Sequence, residues 1–122
     1  MEPKSKEEVA REVRYILSLH KGKENAISRW ALVTRIFGAE AAANRGNNNP
    51  FDRQIREVIE QYREIDLIVS SSSAAGYYLA ADMNDIETIA TEYDKRSVKM
   101  LEKARKLRQR GMEKLGGQME LI

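Results

Sequence analysis

The chain has 122 residues, 42% hydrophobic and 33% charged, with no cysteine and one histidine. A domain of this size buries roughly two-thirds of its unfolded surface without a metal or disulfide staple; the lack of cysteine excludes a disulfide framework and thiolate chemistry and fits a reducing, cytoplasmic setting. The net charge of +2 is unevenly spread: residues 1–94 carry 12 Lys/Arg against 16 Asp/Glu, and residues 95–122 carry 9 against 3, which suggests a local contact between the C-terminal segment and a polyanion.

No run approaches the ~18 apolar residues of a membrane span, and the polar, acid-bearing stretch Met1–Glu8 is not expected to be a secretion signal. The first helix is predicted from Ser5 to about Leu19, with Val9, Val13, Ile16 and Leu17 on one face and Ser5 and Glu8 spaced as a capping box. His20–Lys23, with Gly22, ends it. Ala26-Ile27-Ser28 reads as a short extended piece, and Ser28 is the expected N-cap of a second helix bearing Trp30, Leu32, Val33, Ile36 and Phe37. Gly38 closes that helix. The following stretch to Pro50, with its Asn/Gly/Pro cluster, reads as a loop.

Phe51 to about Glu64 forms the plainest amphipathic pattern, with Ile55, Val58, Ile59 and Tyr62 at i, i+3, i+4 and i+7. Leu67–Ser70 and Tyr77–Ala80 are two short β-rich runs joined by small residues and Gly76, the pattern of a hairpin. Tyr77 and Tyr78 alternate faces, so one is expected inside and the other half out. Asp82 or Asn84 caps a last helix from about Asp85 to Gln109, beyond which Gly111, Gly116 and Gly117 weaken the pattern. Ile86, Ala90, Tyr93, Ser97, Met100, Ala104 and Leu107 follow one another by alternating steps of 4 and 3, a heptad-like seam.

The order of elements places a third helix with a free outer side next to a projecting hairpin. Such a helix fits a major groove, ~12 Å wide, while the hairpin reaches the adjacent backbone. From Ile55 the offsets to Ile59, Tyr62, Val69 and the closing Gly76-Tyr77-Tyr78-Leu79 resemble the winged helix-turn-helix of biotin-operon-repressor-type and related bacterial and phage regulators. The likeness is close over about 25 residues and looser over residues 9–80. It implies a mainly α fold with a small β-hairpin, in which residues 5–81 form a winged helix-turn-helix domain. Residues 82–115 then form a long helix and 116–122 a tail. The chain departs from that pattern twice. Asp66 stands where the family has glycine before the wing strand, and is expected to take the left-handed turn. The long connection Gly38–Pro50 replaces the family's tight turn.

With Ile55, Val58, Ile59 and Tyr62 inward, Arg53, Glu57, Glu60 and Glu64 point outward, Arg56 and Arg63 lie on one flank, and Gln54 and Gln61 on the other. Arg53, Gln54 and Arg56, with Asn49 just before the helix, are the expected DNA-contacting residues. Arginine suits guanine edges or phosphates, and glutamine suits adenine. In wing 70–77, the Ser71, Ser72 and Ser73 hydroxyls are expected to meet phosphate oxygens. Gly76 is expected to supply backbone freedom. Ser97, Met100, Leu101, Ala104 and Leu107 are the expected contacts of a homodimer through the last helix. With one histidine and no cysteine, no metal site, nucleophilic triad or cofactor is expected. The reading is therefore a non-enzymatic binder of double-stranded DNA, a small transcriptional regulator or a phage-type accessory protein. A protein-binding adaptor is the alternative, favoured by the Glu57, Glu60 and Glu64 ridge.

Overall fold

The computed structural model describes residues 3–70 and 76–119, the side chains of 117–119 excepted. It forms two compact units, Met1–Ile89 and Ala90–Ile122. It is mainly helical, with a two-strand antiparallel hairpin and a long C-terminal helix.

Helix α1, Lys6–Ser18, begins where the Ser5 hydroxyl accepts the Glu8 amide at 3.1 Å and buries Val9, Val13, Ile16 and Leu17. Helix α2, Arg29–Phe37, begins at Ser28, whose hydroxyl accepts the Ala31 amide, and ends at Gly38 with φ of 97°. Leu32, Val33 and Ile36 are its buried face. Helix α3, Pro50–Asp66, contributes Ile55, Val58 and Ile59 to the same core. Three short amphipathic helices thus share one interior, with α1 packed on α3 and α2 across both. Each capping side chain satisfies one of the amides that a helix start leaves without a partner.

The stretch after Gly38 is not all loop. Ala39–Ala42 winds into a 3₁₀ turn that buries Ala41 and Ala42 against the core. Alanine packs there because it brings apolar surface without side-chain entropy to lose. Asn49 then performs two tasks at once. Its carbonyl oxygen accepts the Phe51 and Asp52 amides as the N-cap of α3, and its amide nitrogen donates at 2.7 Å to the carbonyl oxygens of Ala41 and Asn44.

At the other end of α3 the left-handed residue is Leu67, with φ of 55°, rather than Asp66. The helix runs one turn-step further than its apolar pattern indicates, because Asp66 is held inside it by Arg14 of α1. The Arg14 Nε and Nη2 atoms donate to the Asp66 carboxylate at 2.7 and 2.9 Å. Its guanidinium also lies 4.3 Å from the Tyr62 ring centre. A left-handed non-glycine residue costs about 1–2 kcal/mol.

Strands β1, Ile68–Val69, and β2, Tyr78–Leu79, pair antiparallel with Ile68 opposite Leu79 and Val69 opposite Tyr78. A third rail, residues 20–27, lies along β2. Ile27 and Tyr77 exchange amide–carbonyl hydrogen bonds at 2.8 and 2.9 Å, the Leu79 amide donates to His20, and the Gly22 amide donates to Leu79. The His20 ring, expected at a helix end, is 2.7 Å from the Asn25 carbonyl oxygen and tightens this rail. Of the two tyrosines Tyr78 is buried, with Val69 and Ile89, and Tyr77 is half-buried.

Gly76 owes its identity to this rail and not to turn freedom. A Cβ there would fall 1.9 Å from the Ile27 carbonyl oxygen, inside the van der Waals radius of backbone that cannot move aside.

Helix α4 runs Met83–Met119, through Gly111 and Gly116. The Asp82 carboxylate accepts the Asp85 amide at its start. An interior glycine costs only ~1 kcal/mol, and Arg108, Gln109, Arg110, Met112, Glu113, Lys114 and Leu115 around Gly111 are all good helix formers. Ile89 is its buried residue in the first unit. Among the described residues no helix is long and apolar enough to cross a membrane.

Gly76→Ala is expected to lower stability by about 1–3 kcal/mol or more by overpacking. Gly111→Ala, where an added Cβ meets nothing within 4 Å, is expected to raise α4 helicity and stability by up to ~1 kcal/mol. Thermal melts and far-ultraviolet dichroism of the two variants check the contrast.

Candidate nucleic-acid interface

The centre of the site is a carboxylate in an unexpected place. Asp52 lies three residues before Ile55 and seven before Ile59, on the inward face of α3, and its side chain is fully buried. A charge removed from water needs partners. Asp52 has two arginines. Arg29, the first residue of α2, donates from Nε and Nη2 at 2.8 and 2.7 Å, a bidentate fork. Arg56, one turn further along α3, places its Nε 2.8 Å from the same carboxylate. The loop before α3 closes the clasp, for Arg29 Nη2 also donates to the Asn47 side-chain oxygen at 3.2 Å and Arg56 Nη2 to the Asn47 carbonyl at 3.0 Å.

One carboxylate here faces two guanidinium groups, so a positive charge is left over. The clasp uses Nε and Nη2 of each arginine, and both side chains remain partly open to solvent, at 31% and 43%. Their Nη1 edges therefore stay outside the clasp, in a direction fixed by the buried anion. Arg29 also lies 4.7 Å from the Trp30 ring centre, which restrains its plane further. The hydrogen bond to Asp52 holds the Arg29 guanidinium above its ordinary pKa.

Tyr77 borders this cluster from β2. Burial pushes its phenol above the usual 10.0 and the Asp52 charge adds to this, whereas Arg29, Arg56 and Arg63 pull the other way. Arg63, two turns beyond Arg56 on the same flank of α3, donates to the Ser70 hydroxyl at 3.2 Å and pairs with Glu60 at 3.6 Å. Three arginines, a tyrosine and Ser70 thus line the side of α3 that meets α2 and the hairpin.

The expected DNA-contacting residues do not share one surface. Arg53 is exposed, and among the described residues no carboxylate pairs with it. Arg56 is on the clasp flank. Gln54 is half-buried on the opposite flank, bordering a groove with Lys6 and Val9 of α1. Two residues along a helix are turned about 160° apart, so Gln54 and Arg56 address different sides. Asn49 is corrected outright: it is 2% exposed, and its side chain is spent on capping α3 and tying down the preceding loop. Ser71, Ser72 and Ser73 lie outside the described residues.

Sequence reasoning missed Arg29, Asn47, Asp52 and Tyr77. The signal for Asp52 was present, since an acid on the core face of an amphipathic helix calls for a cation. The identity of that cation was hidden, because Arg29 is 23 residues away. Among the described residues no cluster of His, Cys, Asp or Glu is arranged to hold a metal ion.

The expected dimer contacts Ser97, Met100, Leu101 and Leu107 are exposed on α4, and Ala104 is half-buried against its own helix. Comparison with protein-family models, curated proteins and solved structures finds no match for this chain.

Asp52→Ala is expected to destabilise the fold by about 2–3 kcal/mol, below the ~3–5 kcal/mol of a wholly buried pair because both arginines can rehydrate. Chemical denaturation measures it. The Tyr77 phenol has its own signature. Its pKa is raised on folding, so the unfolded chain loses the proton first and stability falls as pH climbs above about 10. Alkaline melts of Tyr77→Phe are expected to show a shallower decline over that window than those of the parent.

Proposed function

We propose that the chain binds double-stranded DNA, with residues 5–81 acting as a winged helix-turn-helix, α3 facing the major groove and the hairpin facing the backbone. The observation that carries this reading is the Asp52 clasp. A buried anion fixes Arg29 and Arg56, whose side chains stay partly exposed, and leaves one positive charge unbalanced. A guanidinium held in one orientation loses little further entropy on meeting a planar anion, and two N–H groups on one edge match phosphate oxygens. Arg53, exposed and one turn into α3, is the base-edge candidate. In this reading the protein is a small transcriptional regulator or an accessory protein of the phage type.

The exposed ridge Glu57, Glu60 and Glu64 on α3 favours the second reading, a protein adaptor, because it repels phosphates near the middle of the helix. Winged helices serve both ends, and fold does not fix the choice. The two readings part at salt dependence. Release of counterions from DNA gives an affinity that falls steeply with salt, by roughly one unit of log–log slope for each phosphate neutralised.

Fluorescence anisotropy with random and selected duplexes at several salt concentrations tests the proposal. Arg53→Ala is expected to weaken binding by about 1–3 kcal/mol for a base-edge contact without changing the melting temperature. Arg29→Ala is expected to reduce the salt slope by about one and, because it removes the bidentate partner of buried Asp52, to lower stability as well. Arg56→Ala is expected to lower both affinity and stability, since Arg56 is part of the clasp. Absence of duplex binding at low salt by the folded parent protein defeats the proposal.

A further inference from the structure

In the second unit, α4 from Ala90 onward presents an apolar stripe with an uneven charge on its borders. Met100, Leu101, Leu107, Met112 and Leu115 are 50–74% exposed. The heptad positions Ser97, Ala104 and Gly111 recur every seven residues between them and make the middle of the stripe shallow. One border is formed by Arg96, Lys103 and Arg110, again every seven residues; the other carries Leu101, Arg108 and Leu115. The borders are poorly neutralised. Arg96 and Arg110 reach Glu92 and Glu113 only at 3.9 and 4.0 Å, at exposed positions where such pairs hold little.

A second copy of the helix does not fit these borders. In a two-helix coil the residues beside the seam of one helix lie against those of the other and set partner and orientation. Paired in parallel and in register, Lys103 meets Arg108 of the second helix, and Arg96 and Arg110 meet leucines. Paired antiparallel, the two Arg96–Lys103–Arg110 borders lie against each other. Neither arrangement offers the positive border an opposite charge. A lipid surface is also a poor fit. Residues 94–122 contain no aromatic side chain, whereas interfacial helices anchor through bulky and aromatic residues, and the shallow row of Ser97, Ala104 and Gly111 suits a closely approaching helix backbone instead.

We propose that this stripe is a docking site for an amphipathic helix of a different protein, one with acidic residues along the border that meets Arg96, Lys103 and Arg110. The small residues let the partner backbone approach, the leucines and methionines bury its apolar seam, and the cationic border selects its charge. The site lies outside residues 5–81, to which the DNA-binding reading is assigned, and the two stand or fall separately.

The test uses the full chain and two labelled synthetic helical peptides with the same leucine seam, one bordered by glutamate and the other by lysine. The chain is expected to sediment as a monomer at tens of micromolar in about 0.15 M salt. It is expected to bind the glutamate peptide at least tenfold more tightly than the lysine peptide. Lys103→Glu with Arg110→Glu is expected to reverse that order, and Leu107→Lys to weaken both by tenfold or more, with helical dichroism unchanged. A homodimer indifferent to the charge reversal overturns the proposal. So does equal binding of the two peptides, or binding of vesicles of anionic phospholipid without binding of the glutamate peptide. Duplex binding of the parent chain compared with that of Arg53→Ala, measured alongside, reports on the DNA reading separately.

Discussion

The buried carboxylate of Asp52 is the constraint around which the first unit is arranged. It sits where α3 should present an apolar residue, and it is tolerable there only because Arg29 Nε and Nη2 and Arg56 Nε reach its two oxygens. Satisfying it fixes the start of α2 against the start of α3. Through Asn47 it also fixes the last part of the connection between them. Asn49 completes this corner from inside, joining the α3 amides to the carbonyls of the 3₁₀ turn. The connection between α2 and α3 is long, yet the buried Asn49 side chain ties its end to the carbonyls of Ala41 and Asn44 within it. A loop pinned in this way costs entropy once, on folding, and leaves the Arg29 and Arg56 groups bonded to it oriented afterwards.

A second constraint is steric. Gly76 lets the chain entering β2 come so near Ile27 that Ile27 and Tyr77 exchange backbone hydrogen bonds. That contact brings Tyr77 to the border of the arginine cluster and turns Tyr78 inward onto Val69 and Ile89. Hairpin, α2 and α3 therefore meet along one side of the unit, and the cationic groups gather there. Arg14 and Asp66 tie α1 to the end of α3, where the helix gives way to the left-handed Leu67.

Charge is divided unevenly between the units. In the first, acidic residues outnumber basic ones, and Arg29 and Arg56 are held by a buried acid. In the second, cations are spread along an exposed helix with few acids. A fixed guanidinium recognises a defined anion geometry, whereas a row of free lysines and arginines sets a field and the charge of whatever lies against it.

The elements themselves were legible in the sequence. Periodicity placed α1, α2, α3 and the core residues Val9, Val13, Leu32, Ile55 and Ile59; Ser5 and Ser28 marked two helix starts; the Gly-Tyr-Tyr-Leu run marked the hairpin's second strand. These are local signals, set by repeat spacing and by the backbone amides that a helix start leaves open. The sequence also carried the anomaly of Asp52 on an apolar face, without its answer. What only the tertiary structure decided was every pairing across distance: Arg29 with Asp52, Arg14 with Asp66, Gly76 with Ile27, and the inward turn of Asn49. A carboxylate in a helix specifies that it needs a cation, but any of the chain's arginines could supply it. Which one does is fixed by how three helices pack, and packing depends on the shapes of all the buried side chains together rather than on any one stretch of residues.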